Sequence, residues 1–191
     1  MAMNFCSNCG AATLELRIPA GDTLQRRVCA TCGTIHYENP KIVTGCLPVW
    51  DERVLLCKRA IEPRHGLWTL PAGFLENGET LEAGALREPV EEAGARAEIA
   101  ALYTVISLPD INQVYMMFRA RLLDTDFGPG LESLEVELFA EEDIPWGDIA
   151  FRTIARTLRN YFLDRKLGAF PLHVSALFKR SPREPALQAA A

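Results

Sequence analysis

Apolar residues recur along this chain in two rhythms. Lys41–Trp50 (KIVTGCLPVW) and Arg53–Arg59 (RVLLCKR) are β-branched and leucine-rich runs separated by an Asp51-Glu52 turn, the pattern of a strand pair. Residues 96–107 (RAEIAALYTVIS) and 113–123 (QVYMMFRARLL) read as two further strands joined at Pro109-Asp110-Ile111-Asn112, and Leu134–Ala140 as another. Gly66–Pro71 (GLWTLP) leads a short strand into a loop. Helical spacing enters twice. Thr80 is placed to cap a helix running to about Ala93, with Gly94 at the left-handed position that ends it. Between Asp148 and Asp164, the residues Ile149, Ile154, Leu158 and Phe162 share one helical face. Mixed strands with two helices predict an α/β (α+β) architecture, an α/β/α sandwich around a mixed sheet.

The N-terminal stretch follows neither rhythm and is organised by cysteine. Cys6-x-x-Cys9-Gly10 and Cys29-x-x-Cys32-Gly33 are two knuckles separated by nineteen residues. Thiolate pairs at that spacing, each followed by a turn-permitting glycine, suit tetrahedral Zn²⁺. A redox pair or structural disulfides are the alternatives; a reducing cytosol disfavours disulfides, so zinc leads. The intervening LELRIPAGDTLQRRV reads as two short strands around Gly21-Asp22, the hairpin of a zinc ribbon. So short a segment buries little core without metal, so the role expected of the zinc is structural. His36, just past the second knuckle, is assigned to a strand or linker, because four cysteines already complete the ligand set. Cys46 and Cys57 fall in apolar runs and read as small core residues. Tyr37–Pro40 reads as a linker, giving a ribbon over residues 1–37, a main domain over 38–168 and a partly disordered tail over 169–191.

Composition narrows the partners. Of 191 residues, 49% are apolar and 24% charged, which is globular usage, and the net charge of −5 argues against an extended phosphate-binding surface for nucleic acid. Neither a basic apolar leader nor a run of ~20 apolar residues is present, so the expectation is a soluble, cytoplasmic protein with no membrane association.

The densest chemistry lies in Gly73–Ala95 (GFLENGETLEAGALREPVEEAGA). Gly73, Glu79, Arg87-Glu88, Glu91-Glu92 and Gly94 stand at fixed offsets, and a chance match at seven such positions is on the order of 10⁻⁸ per starting point. On the predicted helix Glu88 lies three and four residues before Glu91 and Glu92, so the carboxylates crowd one face. Like charges so spaced destabilise a helix by a few tenths of a kcal/mol per pair. Hard divalent cations such as Mg²⁺ want oxygen ligands of this kind and complete their shell with water and substrate phosphate. The bland alternative is a solvated acidic face. Arg87, four residues before Glu91 and eight after Glu79, reads as an orienting ion pair rather than a substrate clamp. Pro89 disturbs the pattern. It removes an amide that would bond the Ala85 carbonyl, costs about 3 kcal/mol in a helix interior, and predicts a kink between the carboxylates.

The spacing Gly73…Glu79…Arg87-Glu88…Glu91-Glu92…Gly94 resembles the signature box of the Nudix hydrolases, where Pro89 replaces a usually small, aliphatic or threonine residue. The order of the two knuckles, an Asn-Pro-Lys linker, LLCKR, GLWTLPAGFLE, the box and a late PGLESLE strand resembles a zinc-ribbon branch of that family over roughly residues 4–165. Within it the chain is similar to FAD and ADP-ribose pyrophosphatases. NADH pyrophosphatases carry an SQPWPFPxS-type segment after the box, whereas this chain has Ser107–Gln113 (SLPDINQ), which makes NADH a lesser expectation.

The resemblance implies Mg²⁺ or Mn²⁺ held by Glu88, Glu91, Glu92 and the backbone carbonyl of Ala72, with Glu79 and Arg87 as a supporting pair. It implies a general base that is either Glu88 or an acidic residue outside the box, with Glu132 and Glu135 as the candidates there. Arg59 and Arg64, and Lys58 beside them, are expected to neutralise phosphates. Trp68, Tyr115 and Phe74 are candidates to stack on a base, although aromatics near strands commonly belong to the core. The implied reaction is hydrolysis of the diphosphate in a dinucleotide or nucleotide-sugar-type substrate, releasing AMP, by a protein that pairs as a homodimer. Two other readings stay open. One is a catalytically weak nucleotide-binding module, motivated by Pro89. The other is a zinc-ribbon protein that removes nucleotide-derived caps from RNA, although only Arg17, Arg26 and Arg27 are basic within residues 6–35.

Overall fold

A computed structural model describes residues 3–179, so the disorder expected for Ser181–Ala191 lies outside the described residues. Its contacts divide the chain between Asn39 and Pro40 into two units. In the first, β1 (Leu14–Arg17), β2 (Arg26–Cys29) and β3 (Ile35–His36) form an antiparallel sheet in that order. Leu14 lies opposite Cys29 and Arg17 opposite Arg26, so the β1–β2 turn falls over Gly21-Asp22. There the Asp22 carboxylate accepts from Arg26 Nε (2.9 Å) and from the amides of Leu24 and Thr23, which hold its pKa at about 2. His36 is buried within β3, opposite Arg27.

The second unit contains β4 (Lys41–Trp50), β5 (Arg53–Arg59), β6 (Trp68–Thr69), β7 (Ala72–Phe74), α1 (Leu81–Ala93) and β8 (Ala97–Leu108). It continues with β9 (Gln113–Leu122), β10 (Ser133–Phe139), α2 (Arg152–Leu167) and β11 (His173–Ala176). The strands run in the order β10-β5-β4-β9-β8-β11, with β6 alongside β5 and β7 alongside β4. The β4–β9 and β8–β11 pairs are parallel and the others antiparallel, so the sheet is mixed. Period-two alternation along β4 sends its side chains to two faces. Val43 and Leu47 join Tyr103, Met117, Ile154, Leu158 and Phe162 beneath α2, while Cys46 joins Ala85, Phe118 and Ala120 beneath α1. One helix covers each face, as the alternation predicts. Gly45 lets β7 come close, because a Cβ there would strike Ala72 and the Pro71 carbonyl.

Thr80 caps α1 as expected, its hydroxyl accepting from the Ala83 amide at 3.1 Å, and Gly94 ends the helix in the left-handed region. Two boundaries differ from the reading of the sequence. α2 starts at Arg152, because Trp146–Asp148 form a 3₁₀ turn instead. Beyond Gly168 the chain folds back as the edge strand β11, with His173 beside Thr104 and Ala176 beside Ser107. The four residues HVSA are too few for periodicity to reveal. The return is anchored by Asp164, buried at the end of α2, which accepts from the Tyr103 hydroxyl and bonds His173 Nε2, both at 2.7 Å. Among the described residues, no helix is long and apolar enough to cross a membrane.

Candidate functional site

The four ribbon cysteines converge. Their sulfurs all lie within 4.8 Å of one another, with Cys6 to Cys32 and Cys9 to Cys29 both at 3.6 Å. A tetrahedron built on Zn–S bonds of about 2.3 Å has edges of about 3.8 Å, so the donor set fits Zn²⁺ in type, number and spacing. Each knuckle closes by a glycine amide, Gly10 to the Cys6 carbonyl (2.8 Å) and Gly33 to the Cys29 carbonyl (2.9 Å), with both glycines at positive φ. The Thr34 hydroxyl, 3.1 Å from Cys32 Sγ, and the Thr34 amide bring the Cys32 pKa to about 5, which favours the thiolate that binds metal. His36 stands outside this cluster.

On α1, Arg87 organises the acidic face. Its guanidinium donates to both Glu79 oxygens (3.2 and 2.9 Å), to Glu88 (2.7 Å), to Glu91 (2.8 Å) and to the Phe74 carbonyl (3.2 Å). Glu88 and Glu92 are 5% and 7% exposed. Burial pushes Glu88 up to about 7 against the pull of Arg87. Burial, and then the charge of Glu88, pushes Glu92 up to about 8. Glu91 stays exposed. The Glu88 carboxylate lies over Gly73, where an added Cβ would come within 2.5 Å of Oε1, so the box glycine is required by contact. Two buried carboxylates, of which only Glu88 has an ion-pair partner among the described residues, fit a divalent cation, whose charge would offset their desolvation.

These groups open into a cleft of about 1180 Å³ that Arg59, Arg64, Ala72, Phe74, Tyr115 and Glu132 also line. Glu132 arrives on a loop docked against the end of α1, where the Gly128 and Gly130 amides donate to the carbonyls of Ala93 and Glu92, both at 2.9 Å. A Cβ at Gly130 would collide with the Glu91 carbonyl.

The comparisons with known proteins agree with this geometry. Residues 39–158 match the NUDIX domain family, and residues 4–38 match the zinc ribbon described as Nudix N-terminal. This chain belongs to the Nudix hydrolase family. It is 59% identical to a NUDIX hydrolase of Nitrosomonas europaea whose crystal structure superposes with a TM-score of 0.89, covering 93% of this chain and 100% of that one. It is 30% identical over 113 residues to an ADP-ribose pyrophosphatase of Methanocaldococcus jannaschii, covering 57% of this chain and 67% of the relative. It is 30% identical over 165 residues to an NAD-capped RNA hydrolase of Photobacterium profundum, covering 81% of this chain but 58% of that protein's length.

The Nudix box of this chain thus has its glutamates at one wall of the cleft, but two of the residues proposed from sequence lie elsewhere. Trp68 is buried and packs edge-on against Phe139, with centroids 4.9 Å apart, so it belongs to the core and has no face free for a base. Glu135 is opposite Lys58 on β5 and pairs with it at 2.7 Å, away from the cleft lining. Lys58 is likewise outside the cleft lining. Conversely, Phe151, Arg152 and Thr153 at the start of α2, and Leu177–Lys179 after β11, line the cleft without having been read from sequence. They are far from the box in the chain and carry no motif. The one signal was the lone helical face of α2, which fixed a core and not a wall.

The kink expected at Pro89 does not interrupt the helix. α1 runs uninterrupted from Leu81 to Ala93 with Pro89 inside it. The last turn is held by the Gly94 amide on Val90 and the Ala95 amide on Pro89, both at 3.0 Å, together with the two glycine amides of the docked loop.

Proposed function

We propose that this Nudix hydrolase cleaves the diphosphate of a nucleoside diphosphate linked to a second moiety, with FAD or ADP-ribose as substrate, and releases AMP. The observation that carries this reading is the pair of buried carboxylates, Glu88 and Glu92, at the wall of a cleft that also presents two arginines. Glu88, Glu91, Glu92 and the Ala72 carbonyl would hold Mg²⁺ or Mn²⁺, which supplies phosphoryl polarisation and a more acidic bound water. Arg59 and Arg64 neutralise phosphate charge, and neither has a carboxylate partner among the described ion pairs. Glu132, exposed at the same wall, takes the proton of the attacking water, and Arg87 orients Glu88 and Glu91. Phe74 and Tyr115 provide apolar surface for a base or flavin. Water and FAD give AMP and FMN; water and ADP-ribose give AMP and ribose 5-phosphate. The Zn²⁺ of the ribbon is structural, and the protein works in the cytoplasm as a homodimer.

A second substrate reading is supported by the relatives named NAD-capped RNA hydrolase, which pair with this chain across both units. The same bond would then be cut at the 5′ end of an RNA.

The test is AMP release from FAD, ADP-ribose, NADH and diadenosine polyphosphates under Mg²⁺ or Mn²⁺, with NAD-capped RNA in parallel. A Glu88→Gln, Glu92→Gln variant is the control. Turnover lost in the control supports the reading, and the highest kcat/KM names the substrate. Absence of turnover on every one would overturn it in favour of a nucleotide-binding module.

A further inference from the structure

Pro89 leaves one carbonyl of α1 without its helical donor, and another element supplies a replacement. The amide of residue 89 would bond to the Ala85 carbonyl; proline has no such amide and its ring crowds that oxygen. Across this gap the Cys46 thiol donates to the Ala85 carbonyl at 2.9 Å. Cys46 is 0% exposed on β4, so no water competes for the bond. Two residues earlier on the same face of β4, the Thr44 hydroxyl donates to the Leu81 carbonyl at 3.0 Å. Alternate strand residues are about 6.6 Å apart and successive helical turns about 5.4 Å, so one strand can reach two carbonyls a turn apart.

The geometry points to Cys46 as a positioning residue for the box: its thiol replaces the amide that Pro89 lacks and holds the turn carrying Glu88 and Glu92 toward the cleft. Glu88 directly precedes Pro89, so its backbone is the one the proline ring disfavours in the helical conformation it holds here. Its carboxylate also has little room, since Gly73 lies directly beneath it. An unanchored turn therefore misplaces Glu88 first and Glu92 one turn later. The role in catalysis rests on the hydrolase reading above; the pairing of Cys46 with Pro89 does not.

The test is a double-mutant cycle over Cys46→Ala and Pro89→Ala, with Cys46→Ser as the conservative variant. Leaving a buried carbonyl unsatisfied lowers the folded-to-unfolded ratio roughly 5–30-fold, so Cys46→Ala loses that much in denaturant unfolding. Serine keeps a donor and recovers most of the loss. Pro89→Ala restores the amide, so adding Cys46→Ala in that background has an effect at least about threefold smaller. Titration with Mn²⁺ alone reads the carboxylates: affinity falls about tenfold in Cys46→Ala and returns in the double variant. Where the wild type turns over substrate, kcat follows Mn²⁺ affinity while KM changes little. Equal losses for serine and alanine, or the same loss with and without Pro89, would show that Cys46 only fills space and would overturn the proposal. A wild-type protein inactive on all substrates sinks the hydrolase reading but leaves the unfolding and Mn²⁺ cycles as decisive as before.

Discussion

The two candidate metal sites of this protein are assembled in opposite ways. In the ribbon, four ligands of one chemical type come from two knuckles of one short segment, and each knuckle shapes itself through its own glycine amide. In the Nudix box the proposed ligands Glu88, Glu91 and Glu92 share a helix, but what orients them is scattered. Gly73 lies beneath Glu88, Arg87 ties Glu88 and Glu91 to Glu79, and Glu132 comes from a loop docked on the end of the helix. A site built locally depends on its metal to exist. A site built from a folded domain exists beforehand and holds its charges at the domain's expense. Metal should therefore do different work in the two places.

The strongest way to break that contrast is chelation. Zinc binding contributes on the order of 10–16 kcal/mol to small thiolate domains, so zinc removal or Cys29→Ser with Cys32→Ser should abolish amide-exchange protection over residues 14–36. Residues 41–176 should keep theirs. Loss of protection in both units would erase the distinction. Next comes Glu88→Gln with Glu92→Gln, expected to lower kcat by at least about 10³ while leaving the metal-free Tm equal or higher, because two buried charges are removed. A drop in Tm would mean that those charges support the fold.

Acid titration of the metal-free protein sharpens the same point. Glu88 and Glu92 have folded pKa values of about 7 and about 8, above the ordinary 4.5, so the folded state binds more protons than the unfolded state between those limits. The stability they contribute is complete below pH ~4.5 and is lost as the pH rises to about 8, and saturating Mg²⁺ should flatten that slope. Urea unfolding at pH 5, 6, 7 and 8 measures it. The late glutamates provide a finer discrimination. Glu132→Gln should lower kcat about 10²-fold, and Glu135→Gln, which breaks an exposed pair with Lys58, should stay within about twofold. The reverse order would place the base on β10. Below the Glu132 effect in size is Arg59→Ala, expected to raise KM about tenfold with kcat nearly unchanged.

Local chemistry was what the sequence made legible. The knuckles, the Thr80 cap and the terminating Gly94 depend on neighbours within a few positions, and spacing encodes them directly, as it does the strand and helix rhythms. Trp68 and Glu135 were misread because their roles are set across strands: the Trp68 ring is claimed by Phe139, and the Glu135 carboxylate by Lys58 in the opposite register. Pro89 is the sharpest case. Its penalty was calculable from the sequence, but its remedy lies on Cys46, more than forty positions earlier, as a thiol that reads as an ordinary core residue.

The return of the chain after α2 bears on how this protein can be cut and extended. Leu177 bonds back to Ser107, Lys179 to Asp110, and the Phe178 carbonyl accepts from Arg152, all beside the cleft. A fragment ending at Gly168, where the last helix stops, would strip one wall from the cleft and bare the β8 edge. It would also strand the Asp164 carboxylate without its His173 partner. Affinity tags and fusion partners therefore belong beyond Lys179, with a spacer long enough to leave that seam closed.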